Sequence, residues 1–127
     1  MALTPANQIV TSYPIVVGTW QKTAFTFAAV GSFTITANAP PGLYRYTVCA
    51  VITTAQGAQT LTVNAIVTDD QQAETVAILS AVSTAAQGQF NGTATLENTA
   101  AAGLNLSVAT TATTAVGNIY VVIERIF

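Results

Sequence analysis

Apolar and polar residues alternate with a period of two along most of this chain, and that spacing is typical of β-strands with one buried face. The clearest case is residues 43–53, in which every second residue is apolar. Its predicted inward face comprises Tyr44, Tyr46, Val48, Ala50 and Ile52. Residues 59–69 alternate likewise, with an apolar face of Leu61, Val63, Ala65 and Val67. Because only a short connection containing Gln56-Gly57 separates the two strands, they are predicted to pair as a hairpin.

The same alternation predicts strands over residues 24–30, 32–37, 90–96, 104–111 and 118–127. Residues 74–82 are also predicted to form a strand, although their apolar positions alternate less regularly. The polar run at 69–72 predicts a turn, and the small residues at 98–103 predict a loop. Together these elements predict an all-β domain, an antiparallel jelly-roll-like sandwich or barrel of about eight strands.

The first residues of the chain break this pattern. Prolines at positions 5 and 14 and a glycine at position 18 interrupt short apolar pieces. Residues 1–23 are therefore predicted to form an extended N-terminal arm, which lies at a sheet edge or reaches a neighbour because proline removes ladder hydrogen bonds. Residues 24–127 are predicted to form the single β-sandwich domain that the chain length favours. The candidate interface residues of the arm are Ile9, Val10, Tyr13, Ile15, Val17, Trp20 and Lys22.

Trp20 has two open interpretations. A lone tryptophan beside an extended segment is typical of an interface anchor. It could equally close the bottom of its own barrel.

Charge is scarce in this protein. Charged residues make up 6% of the chain, against about 25% in an ordinary soluble domain. Three basic side chains cannot neutralise the phosphates that a DNA-binding protein contacts, so nucleic acid is excluded as a partner. A surface this poor in charge lacks the repulsion that keeps monomers dispersed, which predicts burial in an assembly. Glu124 and Arg125 alternate on the last strand, so each is predicted to meet a cross-strand or cross-subunit partner.

Targeting and membrane signals are weak. Residues 1–10 contain no Lys or Arg and no long apolar run, so they do not encode a secretory signal peptide. The longest uncharged stretch, 98–123, alternates in polarity and does not predict a membrane-spanning helix. A final Phe127 is a feature of outer-membrane barrels, but Arg125 and the missing export signal count against that class. We expect no membrane partner.

The sequence lacks the residue patterns of the common catalytic sites. Without histidine, neither a Ser-His nor a Cys-His nucleophile can be built. Asp69 and Asp70 are adjacent and point to opposite faces of an extended chain, which predicts a solvated turn. Asp69, Asp70 and Glu74 lack the spacing of an EF-hand calcium loop. The lone Cys49 is predicted to act as a small buried hydrophobe. We therefore expect no enzymatic activity, no metal and no cofactor.

Three segments carry a resemblance to a known group of proteins. They are P-P-G-L-Y-R-Y-T-V at residues 40–48, V-T-D-D at 67–70 and N-I-Y-V-V-I-E-R-I at 118–126. In this order, and over about residues 24–127, they resemble small jelly-roll virion proteins of tailed bacteriophages. That group includes head decoration (cement) proteins and also knob domains of tail fibres and baseplates, commonly as trimers.

The resemblance implies a capsid decoration protein. It would be made in the host cytoplasm, bind the major capsid protein on the outer surface of the phage head as a homotrimer, and stabilise the shell. The alternative is a receptor-binding tail-fibre or baseplate module, or a neck component. Its binding site would combine an aromatic shelf with amides in loops far from the arm. The aromatic candidates are Tyr13, Tyr44, Tyr46, Tyr120, Phe25, Phe27, Phe33 and Phe90. The amide candidates are Gln56, Gln59, Asn64, Gln71, Gln72, Gln87 and Gln89. Alternation predicts that most of the aromatics lie in the core or at a trimer axis.

Overall fold

A computed structural model describes residues 14–127, which form two four-stranded antiparallel sheets packed face to face. The strands are β1 (Ile15–Thr26), β2 (Ser32–Ala39), β3 (Gly42–Thr54), β4 (Thr60–Asp69), β5 (Gln72–Ser83), β6 (Gly88–Asn98), β7 (Ala102–Thr110) and β8 (Val116–Arg125). A single 3-10 turn, Phe27–Ala29, links β1 to β2.

The strand order is that of a jelly roll. Sheet A has the order β1-β8-β3-β6, and sheet B has the order β2-β7-β4-β5. Every connection crosses from one sheet to the other except the tight turn between β4 and β5, which pairs Asp69 with Gln72. The predicted jelly-roll-like sandwich is therefore confirmed.

The core lies between the two sheets, and the predicted inward faces fill it. The apolar faces of β3 and β4 are buried along their whole length, with no side chain more than 1% exposed. Leu104, Leu106 and Val108 of β7 and Ile119, Val121 and Ile123 of β8 complete the two layers. The alternation of apolar and polar residues identified these buried faces because successive side chains of a strand point to opposite faces of its sheet.

The predicted hairpin between β3 and β4 is wrong. β3 lies in sheet A and pairs with β6 and β8, whereas β4 lies in sheet B and pairs with β5 and β7. The connection at residues 55–59 turns a corner, so the two apolar faces meet across the core instead of side by side. Period-two alternation identifies the buried face of a strand but carries no information about its neighbours.

The N-terminal part of the described chain lies in sheet A. β1 pairs with β8 from Ile15 opposite Arg125 to Thr26 opposite Val116, as an edge strand. Residues 15–23 of the predicted arm thus form the first part of this strand, and residues 1–13 lie outside the described residues. The strand predicted over 24–30 stops at Thr26. There the chain crosses to sheet B through the 3-10 turn, which buries the ring of Phe27 completely.

The sandwich has two distinct ends, defined by the register of its strands. The near end contains the start of β1, the end of β8, and the connections at 40–41, 70–71 and 99–101. The far end contains the connections at 27–31, 55–59, 84–87 and 111–115. Asp70 and Gln71 form the predicted polar turn with positive φ angles of 46° and 66°, as type I′ hairpin turns require.

Candidate functional site

The few charged side chains are unevenly distributed. The chain has three basic and five acidic residues, and all of them lie in the described part. The register places both arginines and all five carboxylates toward the near end of the sandwich. Lys22 on β1 is the exception, and its Nζ lies 5.0 Å from the ring centroid of Phe25 in a cation–π contact. Toward the far end the surface therefore consists almost entirely of neutral side chains.

One ion pair joins β3 to β8 on the outer side of sheet A. Nη2 of Arg45 lies 2.9 Å from Oε1 of Glu124, and Nε donates to the same oxygen at 3.2 Å. The two side chains are 40% and 22% exposed, so the pair contributes at most about 1 kcal/mol to stability. Its larger consequence is that Glu124 meets a cross-strand partner, as the alternation predicted. Arg125 donates instead to the carbonyl oxygen of Pro41 at 2.8 Å.

The outer face of sheet A is broad and, apart from that ion pair and the exposed Glu97 near the end of β6, neutral. We define the sheet A face by the outward residues Thr19, Gln21, Thr47, Cys49, Val51, Asn91, Thr93, Tyr120 and Val122. Tyr120 is 36% exposed, and Cys49, Val51 and Val122 are half-buried. Between β1 and β8 the face contains a shallow depression of about 680 Å³ that Thr19, Gln21, Tyr120 and Val122 help to line. This face is therefore one candidate for a contact with another molecule.

The outer face of sheet B has a different character. Its outward residues include Ser32, Thr34, Thr62, Asn64, Ile66, Thr75, Ala77, Asn105 and Ser107. Most of these side chains are small, and some bond to each other, since Nδ2 of Asn64 donates to Oγ of Ser107 at 3.3 Å. Ile66 is the single large apolar residue in this set. The two outer faces therefore offer different surfaces, one with aromatic and β-branched side chains and one of small polar groups.

The predicted interface residues of the arm occupy three kinds of position. Ile9, Val10 and Tyr13 lie outside the described residues. Ile15 is 37% exposed at the near end, where the neighbouring Val16 and the C-terminal Phe127 are 57% and 79% exposed. Lys22 is exposed beside the ring of Phe25.

Val17 and Trp20 face the sandwich interior and pack against the core. The rings of Trp20 and Phe33 are 4.4 Å apart at their centroids, so the pair closes the gap between the edge strands β1 and β2. Of the two interpretations of Trp20, the contacts favour closure of its own sandwich.

The far end is held together by the side chain of Gln56. Its Oε1 accepts from the backbone N–H groups of Thr113, Thr114 and Ala115 at 2.8, 2.8 and 3.2 Å. Its Nε2 donates to Oγ1 of Thr113, and its own carbonyl accepts from the buried Thr84 hydroxyl at 2.7 Å. The side chain thus joins the connections at 55–59 and 111–115, and the backbone carbonyl of the same residue adds the connection at 84–87.

This geometry does not form the predicted aromatic and amide site. Gln87 donates to the carbonyl oxygen of Thr53, and the Gln56 side chain bonds to the backbone of residues 113–115. Gln71 and Gln72 lie at the near end. Tyr44, Tyr46, Phe25 and Phe27 are buried, as the alternation predicted. Within residues 14–127, amides and exposed aromatic rings are not brought together at the far end.

A second amide holds the near end. Asn98 is fully buried, and its Oδ1 accepts from the backbone N–H of Thr68 at 3.1 Å. Its Nδ2 donates to the carbonyl oxygens of Ala39 and Ala100 at 3.2 and 2.8 Å. The sequence offered only weak signals for this role, since Asn98 stands at the junction of a strand and a loop. Neither Asn98 nor the internal role of Gln56 was predicted.

Reactive groups are sparse in the described part of the chain. Residues 14–127 contain no group of three His, Cys, Asp or Glu side chains that could hold a metal ion. Burial raises the pKa of the Tyr46 phenol well above its ordinary value, and the nearby backbone of Asn105 offsets part of that shift. The Tyr46 hydroxyl nevertheless has no hydrogen-bond partner among residues 14–127. No helix among these residues is long and apolar enough to cross a membrane.

Comparison with known proteins identifies similar folds only. No protein-family model matches this chain, and no curated protein matches it. A chain of the T13 particle of infectious bursal disease virus is 12% identical with a TM-score of 0.55, and the match covers 90% of this chain and 30% of that one. The VP2 subviral particle of the same virus matches at 12% identity and a TM-score of 0.47, covering 88% and 32%.

Latent PorU from Porphyromonas gingivalis matches at 11% identity and a TM-score of 0.42, covering 88% of this chain and 13% of that one. This chain thus spans about a third or less of the length of the chains that it matches. The first of the three similarities defines the class of the fold: a jelly-roll sandwich of the kind present in a virus particle.

Proposed function

We propose that this protein is a structural component of a virion, and specifically a capsid decoration (cement) protein. It binds the outer surface of the phage head as an oligomer and stabilises the shell. The observation that carries the proposal is an eight-stranded jelly roll whose broad outer faces are almost free of charge. Such a surface suits permanent contact with other subunits, because it neither repels like copies nor depends on ions that salt would screen.

The proposed partner is the major capsid protein, and the proposed oligomer is a homotrimer, which rests on the resemblance to phage virion proteins. Several weak contacts would combine in such an oligomer, since the first subunit to dock raises the effective concentration of the others. The near end is the proposed attachment end. Ile15, Val16 and Phe127 expose apolar side chains there, and the remaining arm residues Ile9, Val10 and Tyr13 precede β1 in the chain.

The experiment that tests this function is the copy number of the protein in purified particles, measured against the major capsid protein by quantitative mass spectrometry. A decoration protein should be present at one copy per capsid subunit or at a simple fraction of that number. A handful of copies per particle would contradict decoration and would favour the receptor-binding tail module or a neck component. In that case, binding of the intact protein to host cells distinguishes the last two.

A shortened protein tests the role of the arm. The deletion must end before β1, because removing residues 15–21 would also remove the pairing of β1 with β8. Deletion of residues 1–13 is expected to leave a folded oligomer that no longer binds capsids. A control with residues 1–13 replaced by a Gly/Ser sequence of equal length separates loss of these side chains from loss of length. Unchanged capsid occupancy in both variants would refute attachment through the arm.

A further inference from the structure

We propose that the sheet A face packs against a second copy of this chain. The contact is two-fold and joins copies in pairs, so it is an interface beyond the three-fold contacts of the proposed homotrimer. It does not depend on where in a virion these copies are located. Three properties of the face support a second copy as its occupant: its size, its neutrality and its contrast with the opposite face of the sandwich.

The size of the face fits a stable contact between two small proteins. Four strands at a spacing of about 4.8 Å, each with about ten residues at about 3.3 Å, give a face of about 19 by 33 Å. Each copy would therefore bury about 600 Å², and two copies about 1,200 Å². Stable protein interfaces begin at about that total. The whole face, and not only the depression between β1 and β8, must take part.

The charge of the face fits a partner that is equally neutral. Its ion pair, Arg45 with Glu124, is satisfied within the chain, and Glu97 near the end of β6 is the one further carboxylate on this side of the sheet. The face therefore provides little complement to a charged partner. A second copy has a face of the same size and the same neutrality, and a two-fold contact requires only that one patch be complementary to itself.

The side chains also distinguish this face from that of sheet B. Tyr120, Val122 and Val51 provide aromatic and β-branched groups in the middle of the face, and aromatic residues are enriched at protein interfaces. On sheet B the corresponding positions are mostly Thr, Ser, Asn and Ala. The single cysteine of the chain, Cys49, lies opposite Tyr120 in the register and so reports directly on whether the face is covered.

Two matched substitutions test the proposal in the full-length protein. Thr47→Lys places an ammonium group on the sheet A face, and Thr75→Lys places the same group on the outer face of sheet B. Both threonines are exposed in the single chain, so both variants should fold. Light scattering measures the oligomeric state over a range of concentrations, and the rate of maleimide labelling measures the accessibility of Cys49.

The wild-type protein and Thr75→Lys are expected to be oligomers in which Cys49 reacts slowly. Thr47→Lys is expected to raise the dissociation constant at least about a hundredfold, because an ammonium group would be buried in the contact. Its Cys49 should then react severalfold faster. If circular dichroism shows that Thr47→Lys does not fold, Thr19→Lys replaces it, since Thr19 is exposed on the same face.

Two results would overturn the proposal. One is an oligomer that survives Thr47→Lys or Thr19→Lys with Cys49 still protected, while Thr75→Lys dissociates it. That result would move the contact to sheet B but leave the proposed decoration function intact. The other is a wild-type protein that is monomeric at all concentrations with Cys49 freely reactive. A low copy number in particles, by contrast, would refute decoration without affecting the contact between copies.

Discussion

Gln56 provides the sharpest test of how this sandwich is held together, because its side chain joins two connections at the far end. Gln56→Ala removes the acceptor for the backbone N–H groups of Thr113, Thr114 and Ala115. Thr113 and Thr114 are exposed, so water can replace their lost partner, at a cost of about 0.5 kcal/mol each. Ala115 is buried, and its N–H loses a partner at a cost of about 1 kcal/mol.

The expected loss of unfolding free energy is therefore about 2 kcal/mol, measured by urea denaturation with an unchanged m-value. For a domain of this length it corresponds to a fall in melting temperature of about 7 °C. All variants must be compared at one protein concentration, because self-association would also shift the melting temperature. Gln59→Ala is the matched control. Its side chain lies in the same connection and makes no hydrogen bond to any of the described residues, so its loss should stay within about 0.5 kcal/mol.

Gln56→Glu keeps the acceptor oxygen of the side chain but replaces its amide NH2 group with a second oxygen. The three N–H donors should hold the pKa of the introduced carboxyl group below its unfolded value of about 4.3. The stabilisation is then fully present above that pH and is lost as the pH falls through the lower folded pKa. The stability of Gln56→Glu relative to Gln56→Ala should accordingly rise between about pH 3 and pH 6. The reasoning would be refuted by equal losses in Gln56→Ala and Gln59→Ala, or by a stability difference between the two Gln56 variants that does not change with pH.

Three further predictions concern the core and the near end. Tyr46→Phe removes an enclosed hydroxyl that has no hydrogen-bond partner in the described part of the chain, so urea denaturation should show unchanged or greater stability. Tyr44→Phe removes a hydroxyl that donates to a backbone carbonyl and should cost about 1 kcal/mol. Asn98→Ala removes three hydrogen bonds between a fully buried side chain and backbone groups at the near end, and thermal unfolding should show a loss of about 3 kcal/mol. Gly117→Ala would force a side chain into a backbone carbonyl and a buried ring, at a cost of about 3 kcal/mol or more, measured in the same way.

Each of these predictions has a result that contradicts it. For the two tyrosines the contradicting result is a larger loss of stability in Tyr46→Phe than in Tyr44→Phe. For Asn98→Ala it is a loss below about 1 kcal/mol, which would mean that water or a shifted loop satisfies the same groups. Gly88→Ala is the control for the glycine prediction, since no atom lies within 4 Å of a side chain added there. Equal effects at Gly88 and Gly117 would show that strand propensity, and not collision, determines the cost.

The alternation of side chains determined the faces of the strands from the sequence alone. The inward residues of β3, β4, β7 and β8 could be predicted because burial in a strand repeats every second residue and is therefore a local property. The same holds for the turn at Asp70 and Gln71. β5 was less regular in the sequence for a reason visible in the structure. Its register against β4 shifts near Ala81, which has a positive φ of 48°, so the period of two is interrupted.

The pairing of the strands and the hydrogen bonds of Gln56 and Asn98 were decided only by the tertiary structure. A short polar connection has much the same composition whether it closes a hairpin or turns a corner between sheets, so the partner of β3 could not be read from residues 55–59. Gln56 and Asn98 acquire their roles from backbone groups that are distant in sequence, up to 59 residues away. The position of Trp20 likewise depends on Phe33 in the opposite sheet. Alternation is a property of one strand, whereas pairing, corners and buried hydrogen bonds are properties of the assembled sandwich.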